Sequence, residues 1–225
     1  MSNSTASQIS TYAPLALRTA KVYDTLERNL LHTALGLGSE MGELSEGFLL
    51  SQDPVEKYDT LLEELGDLLW FNVYGQHCLH LAFHGAGDRA VHPSFVNLDT
   101  SKYPNLGYAF GPIEAASVYG TQVHEYIMRH VSGVAPLTTS SSVDLLNFAT
   151  SEFLTLVKAA TVYGKPVSAI ALLGALKNHM QALFFAVDKL GYSLDQVAAK
   201  NILKLKLRYP EKYSDADAIL RADKA

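Results

Sequence analysis

The stretch GLGSEMGELSEGFLLSQDPVEKYDTLLEELGDLLWF, residues Gly36 to Phe71, decides how this chain is read. It carries two acidic pairs, Glu40 with Glu43 and Glu64 with Asp67, each three residues apart inside an amphipathic helical pattern. On a helix that spacing sets side chains about 60° apart round the axis and about 4.5 Å along it, so each pair projects to one side. Between the pairs, Ser51-Gln52-Asp53-Pro54 breaks the helix, because the residue before a proline avoids the helical region. The second helix then folds back on the first, and the acidic pairs face each other. Four converging carboxylates repel one another unless a cation compensates them, and hard oxygen ligands suit Mg²⁺ or Mn²⁺. A lone acidic pair at this spacing usually marks a solvated face. Here each pair lies among apolar residues, Leu37, Met41, Leu44 and Phe48 in one case and Leu61, Leu65, Leu68 and Leu69 in the other, which sets carboxylates at the edge of a buried face. Glu46 and Glu63 lie further round and read as surface charges.

Three motifs follow in order: Glu40-Met41-Gly42-Glu43-Leu44, then Glu63-Glu64-Leu65-Gly66-Asp67-Leu68-Leu69-Trp70, then Asn201-Ile202-Leu203-Lys204-Leu205-Lys206-Leu207-Arg208-Tyr209-Pro210. Together they resemble the MazG-like nucleotide pyrophosphohydrolases, all-α NTP pyrophosphatases related to the dimeric dUTPases. The resemblance covers residues 10–84 and 185–214. It implies a single all-α domain over residues 1–225, built as a helical bundle, that hydrolyses a nucleoside triphosphate to the monophosphate and pyrophosphate with Mg²⁺, Mn²⁺ being a possible substitute. Glu40, Glu43, Glu64 and Asp67 would hold the metal, and Glu43 or Glu40 would take the proton of the attacking water. Lys204 and Arg208 would hold phosphate oxygens, and Asn201 would orient sugar or phosphate. Trp70 and Tyr209 would contact base or sugar, and Lys57, two turns before Glu64, is a further phosphate candidate. Relatives build their sites from dimers or tetramers, so a homo-oligomer is expected unless an internal copy makes the chain a pseudo-dimeric monomer.

Composition narrows the remaining classes. With 48% hydrophobic and 18% charged residues the chain reads as folded. A formal net charge of -5 argues against nucleic acid as a general partner, which calls for a basic face. One cysteine, Cys78, excludes an intramolecular disulfide and fits a reducing cytoplasm. The start, MSNSTASQIST, shows no basic segment followed by an apolar run, and apolar stretches such as Ala169 to Leu176 are interrupted too early for a membrane span.

Along the chain, a polar tail precedes a helical pattern from Leu15 to Leu35, with Pro14 suited to its first turn. Arg18, Thr19 and His32 lie where the resemblance puts polar residues near substrate, although His32 alone reads as a satisfied, half-buried histidine. The second acidic helix runs from about Val55 to Phe83. His77, His80 and His84 share a face of it, but ligands seven residues apart on a straight helix lie about 10 Å apart, too far for one zinc ion. Residues 85–111 read as irregular, and a helix is expected from Pro112 to about His130. Further helices are expected over Val143 to Tyr163, with an N-cap from Thr138 to Ser142, and over Val167 to Leu190, ended by Gly191. In the last helix Ser193-Leu194-Asp195-Gln196 forms a capping box, and Asn201, Lys204 and Arg208 make one cationic stripe.

Residues 85–184 have no counterpart in the resemblance. Two readings stand. Ser151-Glu152 and Gln181-Ala182-Leu183-Phe184-Phe185 echo Ser39-Glu40 and Asp67-Leu68-Leu69-Trp70-Phe71 at nearly the same separation, as a degenerate duplication would; a helical insertion is the other. Two function classes compete with the hydrolase. A di-iron bundle needs Glu-x-x-His pairs that positions 46 and 67 do not supply. A non-catalytic helical interaction protein with a vestigial metal site is the alternative.

Overall fold

Seven α-helices and no strand make up the described residues of the computed structural model, which are 3–84, 129 and 137–224; the fold is all-α. In chain order they are α1 (Asn3–Leu17), α2 (Leu26–Leu50), α3 (Pro54–His84), α4 (Thr139–Thr161), α5 (Ala169–Lys189), α6 (Leu194–Arg208) and α7 (Asp215–Leu220), closed by a 3₁₀ turn, Ala222–Lys224. The irregular run 85–111 and the helix expected from Pro112 lie outside the described residues apart from Arg129, as does the side chain of His84.

The acidic hairpin forms where the sequence places it. Asp53 Oδ1 accepts the backbone N–H of Val55 at 2.8 Å and of Glu56 at 3.0 Å, and Pro54 takes the first position of α3, where no N–H is needed. The expected single helix from Leu15 to Leu35 is instead two. Pro14 sits near the end of α1, and Thr25 starts α2 from extended dihedrals while its side chain accepts the N–H of Arg28. The tail is helical because Ile9, Tyr12, Ala13 and Ala16 share one face, and all four are buried.

A second hairpin follows. Thr138 and Ser141 form a reciprocal capping box at the head of α4, and Ser168 caps α5. Gly191, with φ +85°, gives the left-handed residue that ends α5 and lets Tyr192 N–H reach the carbonyl of Val187 at 2.9 Å. The hairpins stack with α2 on α4 and α3 on α5, while α6 returns to lie on α3 and is met by α1. Leu30, Leu37 and Leu44 of α2, Leu65, Leu68 and Leu69 of α3, Leu146 and Phe153 of α4 and Leu172, Leu176 and Leu183 of α5 fill the space between them, each wholly or almost wholly buried. Each is worth about 1.5–3 kcal/mol of transfer free energy.

One polar seam crosses this core. The Asn72 amide nitrogen donates to the Leu176 carbonyl at 2.8 Å and lies 3.0 Å from His179 Nδ1, and Gln76 Nε2 donates to Asn72 Oδ1 at 2.7 Å. The broken apolar runs of α5 understate that helix: Ala169–Lys189 is long and apolar enough to cross a membrane, but 72% of its most apolar window is buried within the bundle. Its apolar residues serve the core.

Candidate active site

Glu40 and Glu43 project from α2 and Glu64 from α3, and the hairpin brings one oxygen of each within 4.8 Å of the others. Glu64 is 6% exposed and its Oε2 is fully buried with no hydrogen-bond partner, whereas Glu40 is half-buried and Glu43 faces solvent. Burial first, then a hydrogen bond shared with Glu40 and the charges of Asp67, Glu40 and Glu43, push the Glu64 carboxyl up to about 8. Glu40 is raised too, by burial and then by Asp67. With no compensating charge, this trio therefore keeps a proton at neutral pH. A divalent cation would take that proton's place and give the orphaned oxygen its partner. Three hard carboxylates on two rigid helices, open to water on the Glu43 side, fit Mg²⁺ or Mn²⁺.

Asp67, the fourth carboxylate expected at the metal, stands beside this trio rather than within it. Its Oδ1 accepts Nδ2 of Asn201 at 2.9 Å and its Oδ2 accepts the Lys204 ammonium. Burial works to raise Asp67, and Lys204 works against that rise. Lys204 also meets Glu63 at 2.7 Å. Burial opposes the Lys204 charge, but Asp67 and Glu63 outweigh it and raise its pKa. Glu63 is thus no ordinary surface charge: four residues before Asp67 on the same helix, it shares the motif lysine with it. The contact depends on how closely α6 lies on α3, and Gly66 makes that possible, since a Cβ there would come within 2.9 Å of the Asn201 Cβ.

A cleft of about 310 Å³ opens next to the carboxylates. Glu40, Asp67 and Lys204 line it, together with an aromatic wall of Trp70, Phe71, Tyr23 and His32 and with Arg208, Tyr209, Tyr213 and Arg221. The aromatic wall is ordered by contact. Trp70 stacks on Tyr74 with ring centroids 5.2 Å apart and planes 7° apart, and its indole N–H donates to the Ala16 carbonyl at 3.2 Å. His32 meets Tyr23, Phe71 and Tyr74 edge-on at 5.3–5.4 Å. Its Nδ1 is buried without a partner, so it is not the satisfied histidine expected, and burial and Lys21 hold its pKa below the usual value.

The cations expected at phosphate divide. Lys204 and Arg208 line the cleft; Lys57 does not. Its ammonium donates to the Phe48 carbonyl at 2.5 Å and lies 5.2 Å over the Phe48 ring, which neutralises the C-terminal end of α2 at the hairpin turn. Arg18 donates to the carbonyls of Tyr209 at 2.8 Å and Glu211 at 2.5 Å and so fastens the chain beyond α6. Asn201, expected to reach sugar or phosphate, is 1% exposed and spent on Asp67 and on the Tyr12 hydroxyl, which donates to it at 2.7 Å. It positions the acid from beneath. Tyr209, the expected base or sugar contact, lines the cleft. The α7 segment, with Lys21 paired to Asp215 at 2.5 Å, is an addition to the expected helices; its sequence signal is Ser214, whose side chain accepts the Asp217 N–H at 3.0 Å, followed by acids in the first turn.

In the second hairpin, Asn178 Nδ2 donates to Glu152 Oε2 at 3.2 Å. Counting from the matched motifs, these two stand where Glu64 and Glu40 stand in the first hairpin, and Gln181 stands where Asp67 does. Charge has been replaced by amide at two of those positions. Comparison with known proteins finds no family model, no curated protein and no solved structure that matches this chain.

Proposed function

We propose that this chain is a Mg²⁺-dependent nucleoside triphosphate pyrophosphohydrolase, splitting a ribo- or deoxynucleoside triphosphate between the α and β phosphates into monophosphate and pyrophosphate. One observation carries the reading: Glu64 has a buried oxygen with no partner and clusters with two further carboxylates beside a cleft that also offers cations and an aromatic wall. Glu40, Glu43 and Glu64 would hold the ion, with Asp67 adjoining. Bound there, it would supply charge neutralisation at the phosphates and a more acidic water.

The chain's own groups do the rest. Glu43, at the solvent edge, or Glu40 accepts the proton of the attacking water, a contribution of about 10²–10⁴ in rate. Lys204, released from Glu63 and Asp67 by an incoming phosphate, holds its oxygens, and Arg208 holds the departing pyrophosphate as a bidentate partner. Trp70 and Phe71 offer faces and edges to a planar base. The cleft volume is at the lower end for a site that takes one small organic ligand, which suits a single nucleotide.

The second hairpin we read as a degenerate copy of the first. The Glu152–Asn178 contact and the stacking of α2 on α4 and α3 on α5 support this. Such a copy completes the bundle behind the site and leaves one metal site per chain.

Calorimetric titration of Mn²⁺ into the wild-type protein and into Glu64→Gln tests the site. Binding in the wild type that weakens at least about tenfold in Glu64→Gln is expected. Equal binding in both proteins, or none in the wild type, overturns it.

A further inference from the structure

Arg208 is not waiting for a ligand. Its Nε donates to Asp223 Oδ1 at 2.7 Å and its Nη2 to Asp223 Oδ2 at 2.5 Å, a parallel two-bond pairing that reproduces how a guanidinium grips a phosphate. The Asp223 side chain is 2% exposed and that of Arg208 is 18% exposed. A second guanidinium, Arg221, stands 3.9 Å from the same Oδ1, half exposed, and lines the same cleft. Two arginines thus share an anion seat, and the anion in it belongs to the chain.

The segment that delivers Asp223 is lightly held. Tyr213, Ala218 and Arg221 form the cleft wall beyond α6, and α7, only six residues long, has no buried residue. Arg221 joins α7 to the 3₁₀ turn in the left-handed region, φ 51° and ψ 47°, a conformation strained for a residue with a Cβ and relieved if the turn swings away. Holding the turn closed are the Arg208–Asp223 pair and, at its base, the Lys21–Asp215 contact. Burial works to raise the Asp223 carboxyl, but the hydrogen bonds and charge of Arg208 more than offset it and leave it ionised.

We propose that Asp223 is an internal competitor for substrate: its carboxylate occupies the seat of a phosphate between Arg208 and Arg221, and the terminal phosphates of the nucleotide displace the 222–224 turn to reach both arginines. Arg221 is then a substrate ligand outside the three motifs. The inference rests on the reading of Arg208 as a phosphate ligand. A seat closed about nine-tenths of the time weakens apparent affinity about tenfold. Because the turn has already left once substrate is bound, the effect falls on KM and not on kcat.

The probe is inorganic pyrophosphate with Mg²⁺, titrated into the full chain as wild type and as Asp223→Asn. Asp223→Asn is expected to bind pyrophosphate about tenfold more tightly, with KM lowered by a similar factor and kcat unchanged. A second readout needs no variant: in the wild type, pyrophosphate is expected to speed amide hydrogen exchange across residues 222–224. Equal pyrophosphate affinity in both proteins, with exchange at 222–224 unmoved, overturns the internal competitor while leaving Arg208 a phosphate ligand. Absence of pyrophosphate binding in both proteins overturns the competitor and the phosphate reading of Arg208 together.

Discussion

Asn201 on α6 donates through Nδ2 to Asp67 Oδ1 on α3 at 2.9 Å, and this bond makes the acidic end of the cleft a joint product of two helices far apart in sequence. The Asn201 carbonyl oxygen in turn accepts the Tyr12 hydroxyl from α1. Truncation to Ala removes a hydrogen bond to the half-buried Asp67 carboxylate and leaves the buried Tyr12 hydroxyl without its acceptor. Asn201→Ala should therefore lose about 2 kcal/mol of stability and most of its activity, whereas Tyr12→Phe should lose about 1 kcal/mol. Urea denaturation beside a turnover assay checks both; an unchanged midpoint in Asn201→Ala counts against the positioning role.

Gly66 tests the same interface sterically. Alanine improves helix propensity by about 1 kcal/mol. Against that, its Cβ would meet the Asn201 Cβ at 2.9 Å and the Val197 carbonyl oxygen at 3.4 Å, and neither is the tip of a flexible side chain. Overpacking costs about 1–3 kcal/mol, so Gly66→Ala should be neutral to destabilised and should lose activity as α6 retreats from Asp67. Thermal unfolding and kcat together read this.

Metal and proton compete for Glu64. Its folded pKa of about 8 lies above its ordinary value of 4.5, so the fold favours the protonated carboxyl. That stabilisation is complete below about pH 4.5 and is lost as pH rises through about 8. Metal-free protein should melt at a lower temperature near pH 9 than near pH 6, and Mg²⁺ should restore more stability the higher the pH. Apparent Mg²⁺ affinity should climb by up to about tenfold per unit below pH 8 and level off above it. Calorimetry with Mg²⁺ and with chelator across this range checks the slope.

His179 gives the opposite trend. Burial depresses it to about 3 from an ordinary 6.5, so the fold requires the neutral ring. Its contribution is present above about pH 6.5 and is lost as pH falls towards 3, at up to about 1.4 kcal/mol per pH unit. Nε2 is buried without a partner, and the Asn72 amide keeps the Leu176 carbonyl if the ring is removed. His179→Leu should resist acid better than the wild type, most visibly near pH 4, as followed by far-UV circular dichroism.

Lys57 distinguishes a cap from a ligand. Lys57→Ala should leave KM within about twofold and lower stability by about 0.5–1 kcal/mol through the end of α2. A large rise in KM would return Lys57 to the phosphate site.

How much of this was legible follows from what is local. Asp53-Pro54, Thr138, Ser193 with Gln196, and Gly191 act on their nearest neighbours, so helix starts and stops could be read from them. Spacing likewise placed Glu40, Glu43 and Glu64 on facing sides of one hairpin. The break between α1 and α2 was hidden because Arg18 is engaged by the carbonyls of Tyr209 and Glu211, which no window around Leu17 contains. The partners of Asp67 and Glu63 were hidden for the same reason: both meet Lys204, and that pairing exists only once α6 lies across α3. The Asp223 pairing is of the same kind, a contact made by the return of the chain after Pro210.

The most direct test of the central claim is to incubate the purified protein with a panel of ribo- and deoxynucleoside triphosphates and Mg²⁺, resolving the products by phosphorus NMR. Pyrophosphate and monophosphate in equal amounts from at least one nucleotide, absent with chelator and in Glu64→Gln, is the predicted result. Orthophosphate as the primary product, no turnover of any nucleotide, or full turnover in Glu64→Gln would contradict it.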